Sequence, residues 1–222
     1  MYLIGKDGET AMGQVVELPR RRRKPLIAVN GKVPPRRQAN LATRTREYLT
    51  PDEVDRLVAA AGDSGRHANR DQTLLTVMYR HGLRVSEAVL LRWDQVDLKA
   101  GMLHVNRLKN GVPSTHPLRG PELRKLRQLR RDYPDGPYLF VSERGGPMTS
   151  SNVRKLVAKA GQVAGLPFPA HPHMLRHACG YKLANDGHDT RALQHYLGHK
   201  NITHTVRYTE MAPDRFKGFW KD

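Results

Sequence analysis

A chain of 222 residues with 38 Lys and Arg against 21 Asp and Glu, a formal +17, has room for one substantial domain and is charged to meet a polyanion. Apolar residues make up 38% of it, enough for a core, yet no uninterrupted apolar run is long enough to span a bilayer. The single cysteine, Cys179, excludes an internal disulfide, and Lys, Asp and Glu interrupt the segment after Met1 where a signal core would lie. Nucleic acid is therefore the leading partner, with no membrane role expected, and the expected location is cytoplasmic, in association with the nucleoid.

From Met1 to Arg46 eleven Lys and Arg face three Asp and Glu, without hydrophobic periodicity, so residues 1–46 read as a basic, flexible arm and 47–222 as the folded domain. Arg20, Arg21, Arg22, Arg23 and Lys24, then Arg36 and Arg37, are the residues of that arm expected to lie along DNA phosphates. Thr50-Pro51-Asp52-Glu53 is a helix start: Thr50 caps, Pro51 suits the first turn and Glu53 completes a capping box. Val54, Leu57, Val58 and Ala61 follow at helical spacing until Gly62. A second helix is expected over 69–81, stopped by Gly82, and a third over 86–91, opened by a Ser86 cap. Short strands at 96–98, 102–107 and 112–118 follow, the last two joined by a tight turn at Asn110-Gly111. Further helices are expected over 121–131, from Ser151 to near Gly165, over 172–185, 190–197 and 203–211, with an extended piece at Tyr138 to Val141. Cys179, between Ala178 and Gly180, reads as a small core residue. The fold class expected is mainly α with a small antiparallel β-sheet on one side, an α+β domain.

Within this frame lies a set of phosphate-seeking groups. His173 and Arg176 stand three apart in His173-Met174-Leu175-Arg176-His177 and so share a helix face. Leu197-Gly198-His199 and Arg207-Tyr208-Thr209 follow, while upstream Gly82-Leu83-Arg84-Val85-Ser86-Glu87 brings a second arginine and Lys109 sits in the hairpin turn. A phosphodiester resists attack because its oxygens are anionic and its leaving alkoxide is poor. Arg84 and Arg176 can grip the oxygens with parallel N–H donors, His173 and His199 can add hydrogen bonds, and His173 is a candidate acceptor of a phenolic proton. Lys109 can protonate a leaving oxygen. Tyr208 is the nucleophile in this reading, its phenolate favoured by two neighbouring guanidinium groups. Glu87 is expected to pair with Arg84 and support it, and His177 to be a packed, hydrogen-bonded helix histidine.

Taken in order, Arg84, Lys109, His173-x-x-Arg176, Leu197-Gly198-His199 and Tyr208 resemble the active-site set of the tyrosine recombinase (phage integrase) family over about 47–208. Arg107-Leu108-Lys109, Thr115-His116-Pro117-Leu118, His171-Pro172-His173 and Asp189-Thr190-Arg191 are closest to the compact fimbrial phase-variation DNA invertases. The resemblance implies a tyrosine recombinase catalytic-domain fold and site-specific recombination of double-stranded DNA at inverted-repeat sites, through a 3′-phosphotyrosyl intermediate, a Holliday junction and a synaptic tetramer. It implies no cofactor, neither metal nor nucleotide. Larger members carry a separate N-terminal DNA-clasping domain where this chain has its basic arm, which raises the prospect of an accessory DNA-bending protein. Residues Met211, Phe216, Phe219 and Trp220 form an amphipathic tail suited to docking, in cis or on a neighbouring subunit.

Three other readings use the same residues. His173 and His177 have the i, i+4 spacing of a metal-dependent nuclease, although Arg176 stands between them where such a site needs no cation. A basic DNA-binding regulator with an inactive recombinase fold keeps the charge but has no use for Tyr208. A type IB topoisomerase would share the chemistry without a defined site.

Overall fold

The computed structural model describes residues 46–63, 65–108 and 111–210. The proposed arm residues Arg20 to Lys24, Arg36 and Arg37, the hairpin Lys109, and the tail residues Met211, Phe216, Phe219 and Trp220 lie outside the described residues.

Helix α1, Pro51–Asp63, begins as its capping box requires: Glu53 accepts the Thr50 N–H at 2.8 Å, and Thr50 Oγ1 accepts the Glu53 N–H at 3.3 Å. It continues one residue past the expected stop at Gly62. Its apolar face, Val54, Leu57 and Ala61, packs on α2, Ala68–Arg80, whose Leu74, Leu75, Val77 and Met78 are buried. The short α3, Val85–Val89, leads through a 3-10 turn to the sheet. Ser86 does not cap it. Glu87 instead reaches back to the Arg84 N–H at 2.9 Å, so the helix opens one residue earlier than expected.

Strands β1 (Val96–Asp97), β2 (Met102–Val105) and β3 (Ser114–Pro117) form one antiparallel sheet in that order, with Leu103 opposite His116 and Val105 opposite Ser114. They are shorter than expected. Residues Tyr138 to Val141 join no strand but make isolated bridges, Arg92 with Tyr138 and Val141 with Pro147. Helix α4, Gly120–Asp132, lays Leu126 and Leu129 on α2, and α5, Ser150–Val163, lays Val153, Val157 and Ala160 on α1. The long α6, Pro172–Asn185, crosses this core against α2 and carries most of its side chains buried, Cys179 among them. Helices α7 (Thr190–Leu197) and α8 (Thr203–Glu210) close over α6 and form a second apolar cluster with Cys179, Tyr181, Leu193, Leu197 and Tyr208. The expected α+β class thus describes the molecule. Its sheet stands to one side of a helical core, and three chain-distant segments meet at the face made by α3, α6 and α8.

Candidate active site

Gly82 ends α2 with φ of 57°, a left-handed conformation that glycine adopts without strain, and the turn it makes points Arg84 toward α6. The Arg84 guanidinium donates to Glu87 Oε1 at 2.7 Å, so the pairing expected from the i, i+3 spacing is present. Glu87 is buried, and its other oxygen accepts from Arg107 at 3.0 Å. Arg176, 1% exposed, donates to the carbonyls of Gly82 and, at 2.7 Å, of Leu197. Two of its five N–H groups are thereby fixed on the backbone of two other elements, which aims the rest. His199 follows the left-handed Gly198 that caps α7 and holds its Nδ1 2.8 Å from Thr205 Oγ1.

Tyr208, 2% exposed, lies edge-on to the Tyr181 ring at 5.0 Å and has its hydroxyl 2.9 Å from His177 Nδ1. The ring passes directly over the α6 backbone at Gly180: a Cβ there would stand 2.7 Å from the phenol Cε2 and Cζ. Outside the helix, Arg207 holds Glu47 at 2.5 Å. Arg84, His173, Arg176, His177, His199 and Tyr208 together line one cleft of about 450 Å³. A second basin of about 680 Å³ shares Arg84 and His199 with it and is also lined by Gly111, two residues beyond Lys109. Among the described residues no group of three His, Cys, Asp or Glu side chains is placed to hold a metal ion.

The phage integrase family pattern matches residues 47–215. The chain belongs to that family. It is 42% identical over 182 residues to the type 1 fimbriae regulatory protein FimB of Escherichia coli (strain K12), covering 80% of this chain and 90% of FimB. Its fold is similar to the crystal structure of XerA recombinase, with a TM-score of 0.67 and 27% identity over 76% of this chain and 62% of that one. A lambda integrase dimer bound to a COC′ core site matches with a TM-score of 0.60 and 25% identity over 82% of this chain and 53% of that one. This chain therefore spans less than two thirds of either solved chain. It is a tyrosine-type site-specific recombinase by family and by fold. No helix among the described residues is long and apolar enough to cross a membrane.

The electrostatics of this recombinase correct one expectation. Burial pushes the Tyr208 phenol up to about 12, and the attraction of Arg176 does not offset it. Without substrate Tyr208 is a neutral phenol, so any attack by its oxygen requires a proton acceptor. His173 is the candidate acceptor from the sequence; His177, expected to be packed and hydrogen-bonded, is the residue in hydrogen-bond contact with the hydroxyl, and His173 meets the His177 ring edge-on at 4.4 Å. Burial, with His173, Arg207 and Arg176 nearby, takes His177 down to about 3, so the ring is neutral at pH 7 and can accept a hydrogen bond from the phenol. Burial beside Arg84 and Arg107 lowers Arg176 to about 10, still protonated at neutral pH. Two guanidinium groups, Arg84 and Arg107, contact the carboxylate of Glu87 and Arg176 adds a third positive charge nearby, an excess that an arriving phosphate would relieve.

Three contributors to the site were not legible as such. Arg107 stands in Arg107-Leu108-Lys109 beside the basic residue that the turn singles out; its guanidinium is fully buried and binds Glu87 and the carbonyls of His81 and Tyr196. Gly180 and Thr205 carry no chemistry in isolation. Their spacing from functional neighbours is the sole trace: Thr205 precedes Tyr208 by one helical turn, and Gly180 follows His177 by about one.

Proposed function

We propose that this recombinase cuts and rejoins double-stranded DNA at inverted-repeat sites, with Tyr208 attacking the scissile phosphorus to give a 3′-phosphotyrosine and a free 5′-hydroxyl. The observation that carries this reading is the convergence of Arg84, His173, Arg176, His199 and Tyr208 on a single cleft from three distant segments of the chain. Arg84 and Arg176, each held from behind, grip the non-bridging oxygens as the trigonal-bipyramidal charge develops. His199 and His173 donate to the same oxygens, and His177, hydrogen-bonded to the hydroxyl at 2.9 Å, takes the phenolic proton once the negative charge of the bound phosphate has raised its basicity. The phosphoester bond to the 5′-oxygen breaks as the bond to Tyr208 forms, and Lys109 supplies the proton to that leaving oxygen. Gly111, two residues on in the sequence, lines the adjoining basin, which is compatible with this role for Lys109. Reversal by a 5′-hydroxyl from the partner strand rejoins the DNA without a nucleotide, since the phosphotyrosyl bond retains the energy of the one broken.

The basic arm at Arg20 to Lys24, Arg36 and Arg37 adds sequence-independent phosphate contacts, and four copies on DNA form the synapse, with an accessory DNA-bending protein assisting. Incubation with nicked suicide substrates carrying the inverted repeats that flank the encoding locus is expected to trap a covalent adduct, in excess chelator as well as without it. Tyr208→Phe is expected to abolish the adduct and leave binding intact. Binding without any adduct from the wild type would instead identify an inactive DNA-binding regulator, activity lost to chelator a metal nuclease, and relaxation without a defined site a topoisomerase.

A further inference from the structure

Thr205 belongs to α8, the helix that carries Tyr208, yet its side chain points back to the loop after α7. It is 0% exposed, and its Oγ1 lies 2.8 Å from His199 Nδ1. A buried hydroxyl needs somewhere to send its proton. Thr73 and Thr76 in α2 give theirs to the carbonyl four residues back, at 2.6 and 2.8 Å. Thr205 makes no such bond; among the described residues its hydroxyl has His199 Nδ1 as its one side-chain partner. The hydroxyl must therefore donate and Nδ1 accept.

We infer that Thr205 is a positioning residue that holds His199 in the tautomer with its proton on Nε2, so that the ring donates to the phosphate only while the helix bearing Tyr208 is docked. This inference rests on the proposed reading of the cleft. A neutral imidazole has a single N–H, and which nitrogen carries it is set by the partner of the other. With Nδ1 accepting from Thr205, Nε2 is the ring nitrogen left to face the cleft, and it faces it as a donor. In the opposite tautomer the cleft would meet a lone pair, which repels a phosphate oxygen. Burial next to Arg176 and Arg84 takes His199 down to about 3, so the neutral form is the relevant one in the free protein. Because donor and nucleophile are linked through one turn of α8, displacing that helix withdraws Tyr208 and releases His199 together.

Nitrogen-15 NMR of the histidine rings in the full chain, with His199 assigned from the spectrum of His199→Ala, is expected to show the proton on Nε2. A proton on Nδ1 would overturn the inference. Thr205→Val, which keeps the shape and removes the hydroxyl, is expected to slow adduct formation on the suicide substrate about ten-fold with DNA binding unchanged, and Thr205→Ser to recover to within about two-fold. In a His199→Ala background Thr205→Val is expected to cost nothing further. A Val variant as fast as wild type, or one whose loss persists without His199, would sink the idea. Failure of the wild type to form any adduct would remove the recombinase reading and leave the NMR result standing.

Discussion

Arg176 shows why residue type matters more than charge at this site. Its guanidinium spans two carbonyls on separate elements, Gly82 and Leu197, and still has donors to spare. An ammonium is a point with three donors and no plane, so it cannot reproduce both anchors and a two-pronged grip at once. Arg176→Lys is expected to lower the rate of covalent adduct formation by about 10²–10³-fold, the usual effect of losing one oriented donor to a developing oxyanion. Quench-flow trapping on a suicide substrate measures it, and an unchanged rate would mean that Arg176 does not touch the phosphate. Gly180 argues the complementary point, since what matters there is the absence of a side chain. With the Tyr208 ring 2.7 Å from where a Cβ would stand, Gly180→Ala has to push the phenol off the helix and out of reach of His177. We expect that variant to bind DNA normally and form little adduct; a wild-type rate would show that the ring leaves this position before it reacts.

Between elements, two buried polar networks hold the arginine-bearing turn in place. In the first, Glu87 of α3 joins Arg84 to Arg107, which follows β2, and both the Arg107 and Glu87 side chains are shielded from solvent. Arg107→Leu would strand that carboxylate with a single, partly exposed partner. A loss of about 3 kcal/mol is expected, measurable as a lower midpoint in urea, because a buried charge deprived of its partner costs far more than the pair contributes. The second network links α2, β3 and α4: His81 Nε2 meets Glu122 at 2.9 Å, His81 Nδ1 meets His116 Nδ1 at 3.1 Å, and Ser114 Oγ meets His116 Nε2 at 2.8 Å. Burial, with His81 and Arg107 close by, takes His116 down to about 3. The unfolded chain then binds a proton near its ordinary value of about 6.5 while the folded chain refuses it, so stability is full above that pH and falls as pH drops toward about 3. Thermal midpoints measured from pH 7 to 4 should decline, and should decline less in a His116→Gln variant; equal slopes would show that His116 titrates freely. These networks also mark the limit of what the sequence reveals. Helix starts at Thr50 and a stop at Gly198 were legible because capping acts within one turn. The opening of α3 differs from the expected Ser86 cap because Glu87 satisfies its first donor, and no local pattern marks Arg107 because its partners are 20 to 89 residues away in the chain. The raised phenol of Tyr208 is invisible to the sequence for the same reason, since charge can be counted there but burial cannot.

For the whole molecule the deciding quantity is where the +17 resides. Eleven basic against three acidic residues in 1–46 account for +8, which leaves +9 on the 176 residues that follow. Under the proposed function the excess in residues 1–46 serves contacts to phosphates made through charge alone. Phosphate contacts of this kind act through counterion release, which makes affinity fall linearly with the logarithm of salt by a slope of about 0.9 for each phosphate neutralised. Replacing Arg20, Arg21, Arg22, Arg23 and Lys24 with alanine should therefore weaken binding alike on specific and unrelated DNA and flatten the slope by roughly 3 to 5. The rate of adduct formation at saturating protein should not change, because none of the five is among the residues proposed for the chemistry. Titrations by fluorescence anisotropy across a range of salt concentrations separate the outcomes. A parallel loss with a flatter slope assigns the arm to the DNA backbone, a loss confined to the specific site assigns it to base recognition, and an unchanged slope takes the arm off the DNA altogether.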